Sequence, residues 1–270
     1  VGTASGGPRG CEGVDGAGDG AGTGRPVEGT APRGRRWAPH SGGADGQSVA
    51  LSALALPSAE VIDLPGAEVT YFADALSQEA AARLFRELDR HPSWQKRPIR
   101  LRDRQTGRHF EALEGRPTIS FSLPPGREYR YSGERRVAEA FPECVLEAKR
   151  LVETLLAPQL QAWAAATGKL PEFNFCLANK YETGAQAVGK HADDEPDIVR
   201  RSPIASLSLG ATRAFILEGK GDPSRTAKVM LRSGSVLLMT GQTQELFVHS
   251  VPKDKRVRDA RISLTFRMNV

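Results

Sequence analysis

Two histidines and an aspartate form the pattern in this chain with the clearest chemical meaning. His191 and Asp193 are separated by one residue, and His249 follows far downstream. Two imidazoles and one carboxylate hold non-haem Fe(II) on one face of its octahedron, which leaves the opposite face free for a co-substrate and O2. A zinc hydrolase uses ligands of the same types. The three residues therefore predict a metal site, and on their own they leave the metal open.

A purely structural role is the alternative for each of these side chains, and two features count against it. The chain has only five histidines, and the other three, His40, His91 and His109, lie in segments that we predict to be tail or loop. The acidic run at residues 193–195 would be unfavourable inside a β-sandwich unless a cation lies there. If residues 191–193 form a strand, their spacing directs both ligands to one face.

Two arginines near the end of the chain supply what such a metal site needs next. Arg261 and Arg267 are an even number of positions apart, so a strand presents both to one face, whereas Ile262, Leu264 and Phe266 point to the other. Two arginines that face a core are unfavourable unless an anion is present. Because a guanidinium binds a carboxylate through a planar, permanently charged fork, the pair predicts a site for a dicarboxylate co-substrate. A surface position is the alternative for either arginine alone.

Helices precede these residues in the chain and would support the site. Ser77 is suited to cap a helix whose apolar positions repeat at helical spacing until His91-Pro92 ends it. A second helix is predicted after Pro142, and a shorter one around residues 160–166 ends at Gly168.

Short β-rich segments follow from residue 173 onward. Residues 173–181 alternate, with Phe173, Phe175 and Leu177 predicted on one face and Asn174 and Cys176 on the other. Further strands are predicted over residues 204–209, 214–217, 228–231, 235–239, 245–248 and 262–266, with a hairpin turn at residues 232–234. Helices followed by many short strands predict an α+β fold with an antiparallel sandwich or barrel.

The first part of the chain has the composition of a disordered tail. Residues 1–50 hold more than half of the glycines, few large aliphatic side chains and no hydrophobic period, so they cannot bury enough apolar surface to offset the entropy of ordering. We predict a disordered Gly-rich tail over residues 1–58 and one domain over residues 59–270. The tail lacks the apolar stretch of a secretory signal, and no segment of the chain is apolar for long enough to span a bilayer.

Charge and cysteine content restrict the partners and the compartment. The net charge of +5 resides outside the tail, in which acidic and basic residues balance. This excess suits a polyanionic partner, although many enzymes that do not bind nucleic acid are equally basic. Three scattered cysteines are too few for a disulfide framework and predict reduced thiols in an intracellular protein.

Six motifs together resemble the AlkB-type nucleic-acid dealkylating dioxygenases, and most closely their duplex-DNA-repair branch. The motifs are FNFCLANKY at residues 173–181, GKHADDE at 189–195, SPIASLSLG at 202–210, GSVLLM at 234–239, HSVP at 249–252 and RISLTFR at 261–267. The resemblance covers roughly residues 62–270. It implies an α+β fold with a double-stranded β-helix (jelly roll) core at about residues 171–270, supporting N-terminal helices, and a nucleotide-recognition lid at about residues 95–135.

The resemblance also implies roles for the residues described above. The three metal ligands would hold Fe(II) as the catalytic ion. The residues implied for 2-oxoglutarate are Asn179, Tyr181, Arg261, Thr265 and Arg267, with one arginine paired to the distal carboxylate. Fe(II) and 2-oxoglutarate would be the cofactors, with O2 as co-substrate.

Base recognition is implied for the lid and for the acid next to a metal ligand. Tyr129, Tyr131 and Ser132 would contact the flipped base, with Tyr131 stacked on it, and Asp194 would contact its exocyclic edge. The alternatives are a tyrosine-rich strand that packs on the core and a solvated loop acid. Residues 115–120 match the corresponding family segment imperfectly.

Two basic segments are candidates for contacts with the DNA backbone. The residues are Arg100, Arg102 and Arg104 in a predicted charged loop, and Lys253 and Lys255 after the second ligand histidine. Solvated charged loops are the alternative, and the salt dependence of binding separates the two. In duplex-acting relatives the first segment carries a wedge that fills the gap left by the flipped base, for which Ile99 and Leu101 are the candidates here.

The implied reaction is the oxidative demethylation of N-alkylated bases in DNA, of the 1-methyladenine and 3-methylcytosine type. It couples base repair to the decarboxylation of 2-oxoglutarate and releases formaldehyde. The alternatives are an RNA demethylase of the same fold, a protein or small-molecule hydroxylase with the same cofactors, and a nucleic-acid-binding module without catalysis. We expect a monomer that acts on alkylated DNA, or on RNA, without a membrane partner, inside the cell and in the nucleus if the organism is eukaryotic.

Overall fold

The computed structural model describes residues 58–103, 105–131 and 134–270. All but the last residue of the predicted tail lies outside these residues, as do Arg104 and Ser132, and Arg102 and Tyr131 are described by their main chain alone. In chain order the elements are β1 (Ala59–Val61), β2 (Glu68–Phe72), α1 (Gln78–Asp89), β3 (Pro98–Arg102), β4 (His109–Leu113), β5 (Thr118–Ser122), β6 (Glu128–Tyr131), β7 (Glu134–Val137), β8 (Glu139–Ala140), α2 (Glu143–Leu155), α3 (Ala157–Thr167), β9 (Phe175–Tyr181), β10 (Val188–His191), β11 (Ile204–Gly210), β12 (Arg213–Gly219), β13 (Asp222–Leu231), β14 (Ser235–Thr240), α4 (Thr243–Leu246), β15 (Phe247–Val251) and β16 (Arg261–Arg267).

Two sheets enclose the core that positions the site. The major sheet has the strand order β1-β2-β14-β11-β16-β9-β5-β8, and the minor sheet has the order β10-β15-β12-β13. Neighbouring strands are antiparallel, except for the parallel pair β5 and β8. Side chains from both sheets, among them Tyr181, Leu217, Leu237 and Phe247, form one buried apolar cluster. The α+β jelly-roll fold predicted from the sequence is confirmed.

Helices α1 and α2 pack on the other face of the major sheet, as their apolar spacing predicted. A second apolar cluster joins them to this sheet and includes Leu84, Leu88, Val145, Val152, Leu264 and Phe266. The Ser77 hydroxyl accepts a hydrogen bond from the main-chain N–H of Ala80 at 3.2 Å and caps α1. Helix α3 ends at Gly168, which takes the left-handed conformation with φ +68°. No helix in the described part of the chain is long and apolar enough to cross a membrane.

Three local predictions are wrong, each where a segment begins or changes direction. Glu245 and Leu246, predicted to open a strand, belong to α4, and β15 begins at Phe247. The turn at residues 232–234 joins β13 of the minor sheet to β14 of the major sheet, so it is not a hairpin turn. Phe173 precedes β9 and packs in the cluster under the helices, away from Phe175. Alternation alone reveals neither where a strand starts nor which sheet it joins.

The segment predicted as a lid contains two hairpins, β3–β4 and β6–β7. The charged loop predicted around Arg100 is therefore wrong, because this residue lies in β3. A buried ion pair between Glu114 and Arg136, at 3.0 Å, lies between the hairpins. Glu114 also accepts hydrogen bonds from the main-chain N–H of Arg97 at 3.2 Å and from the Thr118 hydroxyl at 2.7 Å. These contacts tie both hairpins to β5 of the major sheet.

Candidate active site

The three predicted metal ligands converge beside the minor sheet. His191 and His249 are paired across neighbouring strands β10 and β15, with ring centres 4.3 Å apart. The Asp193 carboxylate oxygens lie 3.8 Å from Nε2 of His191 and 3.9 Å from Nε2 of His249. One ligand atom from each residue lies within 4.8 Å of the others, so a single ion can contact all three. Strand β10 ends at His191, so Asp193 reaches the site from the following loop and not by strand alternation.

Hydrogen bonding and charge hold these side chains in forms that bind a metal. Nδ1 of His191 lies 2.8 Å from the main-chain oxygen of Gly189, which leaves Nε2 available for the ion. Burial lowers the pKa of His249 to about 3, so its imidazole is neutral at physiological pH. Burial opposes ionisation of Asp193, but the pKa of this carboxyl stays below its usual value, and the permanent charge of Arg267 is the largest effect that lowers it. A neutral imidazole and an ionised carboxylate are what a divalent ion requires.

A pocket next to the triad brings together all of the residues implied for 2-oxoglutarate. Asn179, Tyr181, Arg261, Thr265 and Arg267 line it together with the three metal ligands. Alternate residues of β16 face this pocket, whereas the intervening side chains of β16 lie in the cluster under the helices. Arg261 and Arg267 therefore lie on the same face of β16, as their even spacing predicted.

Arg261 is buried in this pocket, and some of its N–H groups have no hydrogen-bond acceptor among the described residues. Only 1% of its surface is exposed. Its Nη2 donates to the Ser208 hydroxyl at 2.8 Å, but Nε and Nη1 are buried without a hydrogen-bond partner among the described residues. Burial lowers the pKa of Arg261 against the opposing effect of Tyr181, and nearby Arg213 lowers it further. Because unsatisfied buried N–H groups are unfavourable, the site fits the carboxylate of a bound dicarboxylate.

Arg267 differs from Arg261 in having protein carboxylates beside it. Its Nη2 donates to Oδ1 of the metal ligand Asp193, and its Nη1 lies 3.9 Å from Oε2 of Glu195. Arg267 thereby connects the anion pocket to the metal ligands. The two arginines that the sequence presented as a pair thus have different surroundings.

Two further arginines, not selected from the sequence, lie close to Tyr181: Arg116 lines the pocket, and Arg213 packs beside it. Arg116, Arg213 and Arg261 lie 5.6, 5.3 and 5.2 Å from the ring centre of Tyr181. Arg116 donates from Nε to Oδ1 of Asn179 at 2.8 Å, and Arg213 donates to three main-chain oxygens of neighbouring loops. Arg213 occupies a buried position in the alternation of β12. Arg213 directly precedes the strand predicted over residues 214–217 and shares the parity of its apolar residues Phe215 and Leu217, which is the signal that would have identified it.

A second cavity, of about 340 Å³, adjoins the triad on the side of the lid. Its lining includes Ile99, Arg116, His191 and Glu195. Oε2 of Glu195 is buried and has no hydrogen-bond partner among the described residues. Burial raises the pKa of Glu195, and repulsion by Asp193 raises it further. The positive charge of Arg267 lowers it, but does not outweigh burial. This cavity has the position expected of a substrate site next to the metal.

Asp194 does not line that cavity, although the family resemblance implied that it contacts the base. Its carboxylate is 58% exposed and pairs with Nζ of Lys220 at 3.2 Å. The next residue, Glu195, faces the cavity in its place. The chain turns after β10, so the direction of each side chain in this acidic run depends on the loop and not on a period that the sequence displays.

Tyr129 lies in the core and not in the substrate cavity. Its ring packs edge-on against Phe175 with centres 4.9 Å apart, and its hydroxyl accepts a hydrogen bond from Ser120 at 2.6 Å. Tyr129 therefore packs on the core, which was the alternative to contact with the flipped base. The side chain of Tyr131 and the whole of Ser132 lie outside the described residues.

Three of the five predicted backbone contacts have described side chains, and all three are exposed. They are Arg100 on β3, and Lys253 and Lys255 after β15. Exposed positions suit contact with phosphates and suit solvation equally. Their role stays a prediction, as do the roles of Arg102 and Arg104.

Comparison with known proteins points to one family. A sequence model of the 2OG-Fe(II) oxygenase superfamily matches residues 68–267. The DNA oxidative demethylase ALKBH2 of Arabidopsis thaliana is 30% identical over 237 residues, which cover 78% of this chain and 70% of the relative. The solved structure of OsALKBH1 covers 78% of this chain with a TM-score of 0.50 and 16% identity, and all of that chain is matched. This last likeness shows the fold.

Shorter matches to mammalian proteins have higher identity. DNA oxidative demethylase ALKBH2 of Mus musculus is 44% identical over 102 residues, or 35% of this chain and 43% of the relative. Alpha-ketoglutarate-dependent dioxygenase alkB homolog 3 of Homo sapiens is 41% identical over 103 residues, or 35% of this chain and 36% of the relative. The chain thus spans less than half the length of these relatives. The AlkB-type resemblance predicted from the motifs is confirmed.

Proposed function

We propose that this chain, which belongs to the 2OG-Fe(II) oxygenase superfamily, is an oxidative demethylase of N-alkylated bases in DNA. The observation that carries the proposal is that the triad of His191, Asp193 and His249 adjoins two spaces of different chemistry. One contains the unsatisfied N–H groups of Arg261. The other is the cavity of about 340 Å³ that contains Glu195 and has room for an extruded base.

The residues present fit the cofactors of the superfamily, Fe(II) and 2-oxoglutarate. His191, Asp193 and His249 would hold the metal through the nitrogen and oxygen atoms that Fe(II) takes in such sites. With O2 as the oxidant, the bound Fe(II) and 2-oxoglutarate would supply the chemistry that oxidises an N-methyl group, which leaves as formaldehyde. A zinc hydrolase would leave the N–H groups of Arg261 without an anion, so the pocket favours the dioxygenase.

The two arginines would hold different ends of 2-oxoglutarate. Arg261, with two unsatisfied N–H positions, would take the distal carboxylate as a fork. Arg267, already paired with Asp193, would lie beside the end of the co-substrate next to the metal and keep Asp193 ionised. Asn179, which Arg116 holds by a hydrogen bond, would add a further polar contact. Tyr181 and Thr265 complete the proposed site.

Glu195, and not Asp194, is the carboxyl group that we assign to the base. A group at this position can accept a hydrogen bond from an exocyclic amino group, and its charge favours a cationic methylated base of the 1-methyladenine or 3-methylcytosine type. Tyr131 and Ser132 remain proposed contacts of the base. Tyr129 is not among them, because its ring and hydroxyl are used within the core.

Exposed basic residues fit a polyanionic substrate. Arg100, Lys253 and Lys255 would contact phosphates, a role also proposed for Arg102 and Arg104. Two relatives are named DNA oxidative demethylases, which supports DNA over RNA. The proposed monomeric state is measurable by sedimentation, and the proposed nuclear location in a eukaryotic cell by microscopy of the tagged full chain.

The test is formaldehyde release by the purified chain with Fe(II), 2-oxoglutarate and methylated oligonucleotides. Duplex DNA, single-stranded DNA and single-stranded RNA that carry 1-methyladenine or 3-methylcytosine are compared, with unmethylated strands as controls. We expect turnover on methylated DNA, and none from His191→Ala. Turnover confined to RNA would support the RNA demethylase instead. Consumption of 2-oxoglutarate that no methylated nucleic acid stimulates would support a hydroxylase of another substrate class.

A further inference from the structure

The loop that carries the metal ligand Asp193 is separated from the element opposite it by empty space. Residues 192–203 connect β10 to β11. A cavity of about 260 Å³ lies between this loop and the segment from the end of β14 through α4, with Asp193, Val199 and Ser202 on one wall and Met239 and Gln244 on the other. The far part of the loop is held by Ile198 and Val199, which pack on the core clusters, and by main-chain hydrogen bonds to Met268 and Val270. Because apolar packing across the gap itself is incomplete, the contacts that join the loop to α4 there are polar.

Gln244 makes the polar contact that reaches the metal ligand itself. Its Oε1 accepts a hydrogen bond from the main-chain N–H of Asp193 at 2.9 Å, and its Nε2 donates to Sδ of Met239 at 3.2 Å. The second contact fixes which way the amide faces. Gln244 therefore bridges the floor of the cavity on β14 and the main chain of Asp193.

Lys220 strengthens the same connection from the other side. Its Nζ donates to the main-chain oxygen of Gln244 at 2.8 Å and to the Asp194 carboxylate at 3.2 Å. Lys220 thus holds Gln244 in place and also binds Asp194, the loop residue that follows Asp193.

The remaining contacts between α4 and the loop are of a different kind. Glu245 binds Arg200 at 2.7 Å and Arg201 at 2.8 Å. The Arg200 side chain is 79% exposed. Exposed ion pairs contribute little to a local structure because solvent screens them. Of these contacts, only the Gln244 hydrogen bond acts directly on the residue that holds the metal.

We propose that Gln244 is a positioning residue for the metal centre: it fixes the main chain of Asp193 so that the carboxylate meets both histidines. Arg267 attracts the same carboxylate through an ion pair. Without the anchor at the amide, this ion pair competes with the metal for the position of the carboxylate. Gln244 does not line either the anion pocket or the substrate cavity, so its contact with the site is the hydrogen bond to the Asp193 amide. The inference rests on the proposed function in that it requires a metal at the triad.

The test measures metal affinity directly by calorimetric titration of the full chain with Mn(II), in the presence of 2-oxoglutarate and without turnover. Gln244→Ala and Gln244→Leu remove the acceptor, and leucine retains most of the side-chain volume. Gln244→Glu retains an acceptor oxygen. Loss of a group that orients a metal ligand weakens affinity about 10- to 100-fold. We expect this loss in the alanine and leucine variants and substantial recovery in the glutamate variant. Arg200→Ala, the matched control, should bind Mn(II) within about twofold of the wild type.

The outcomes separate the inference from the proposed function. If the wild type binds no Mn(II), the metal centre is refuted and the role of Gln244 with it. If the wild type binds but Gln244→Leu binds equally well, the positioning role alone is refuted. Equal losses in Gln244→Leu and Arg200→Ala would also overturn it, because the effect would then belong to the loop as a whole. Thermal unfolding of the metal-free proteins identifies a variant that has lost its fold, in which case Gln244→Leu replaces Gln244→Ala.

Discussion

Single residues of this site have surroundings that their sequence neighbours do not share. Arg261 and Arg267 belong to one strand and one motif, yet only Arg267 has a carboxylate ion pair among the described residues. Asp194 and Glu195 are adjacent, yet one is in solvent and the other faces the cavity. These differences lead to two predictions about individual side chains.

Arg261 should be required for 2-oxoglutarate affinity more than for turnover at saturation. Hydrogen bonds to charged groups contribute about 1.5–3 kcal/mol, so Arg261→Ala should raise the KM for 2-oxoglutarate about 10- to 150-fold. Arg261→Lys should have a smaller effect, because it keeps the charge and loses the fork. Steady-state kinetics with 2-oxoglutarate as the varied substrate measures both. Arg256→Ala, at an exposed residue bound to Asp254, is the control, and an unchanged KM in Arg261→Ala would remove this residue from the co-substrate site.

Substitution of Glu195 should raise the KM for the methylated base more than substitution of Asp194. Glu195→Gln should raise the KM for a 1-methyladenine oligonucleotide about tenfold, because a charged acceptor becomes neutral. Asp194→Asn should change this KM less than about twofold, since its carboxylate is exposed and paired with Lys220. The KM for 2-oxoglutarate in both variants is the internal control. A larger effect at Asp194 than at Glu195 would restore the assignment made from the sequence.

At the scale of elements, the hairpins of the lid depend on one buried ion pair. Glu114 and Arg136 are 3% and 5% exposed, and Glu114 accepts hydrogen bonds from two further residues. Removal of the Glu114 carboxylate takes away the counter-charge that the buried Arg136 has in this pair. The two hairpins of the lid segment are thus joined by a contact between β7 and the residue that directly follows β4.

Glu114→Ala should accordingly lower the free energy of unfolding by about 3–5 kcal/mol. Urea denaturation measures this change in the metal-free protein. Glu111, on the preceding strand β4 and exposed, supplies the matched control, and Glu111→Ala should change the free energy by less than about 0.5 kcal/mol. Equal effects of the two substitutions would show that the buried pair does not stabilise the described domain.

At the scale of the whole molecule, the net charge of +5 and the exposed basic residues bear on the substrate. A cation that neutralises a phosphate releases counterions, so the binding constant falls with salt. Many basic enzymes show no such dependence towards nucleic acid, because their charges are only solvated.

Lys253 and Lys255 should contribute to the salt dependence of binding to methylated duplex DNA. Each lost phosphate contact reduces the slope of log K against log salt by about 0.9, so Lys253→Ala with Lys255→Ala should reduce it by about 2. Fluorescence anisotropy at several salt concentrations measures the slope. Lys169→Ala, at an exposed residue after α3, should leave it unchanged. An identical slope in the double variant would leave these lysines as solvated loop residues.

Local patterns in the sequence predicted a large part of this protein. The even spacing of Arg261 and Arg267 predicted their common face, Ser77 predicted the start of α1, and the three ligand types predicted the metal site. The motifs predicted the superfamily and its fold. Such features are readable because spacing along a helix or strand determines which side chains share a face.

Only the tertiary structure decided which neighbours each side chain has. The directions of Asp194 and Glu195 follow from a loop without a period, and the burial of Tyr129 follows from its contact with Phe175. The positions of Arg116 beside Tyr181 and of Gln244 at the Asp193 amide join segments that are far apart in the chain. Those contacts depend on how strands of two sheets and their loops are brought together, and the local spacing of residue types does not contain this information.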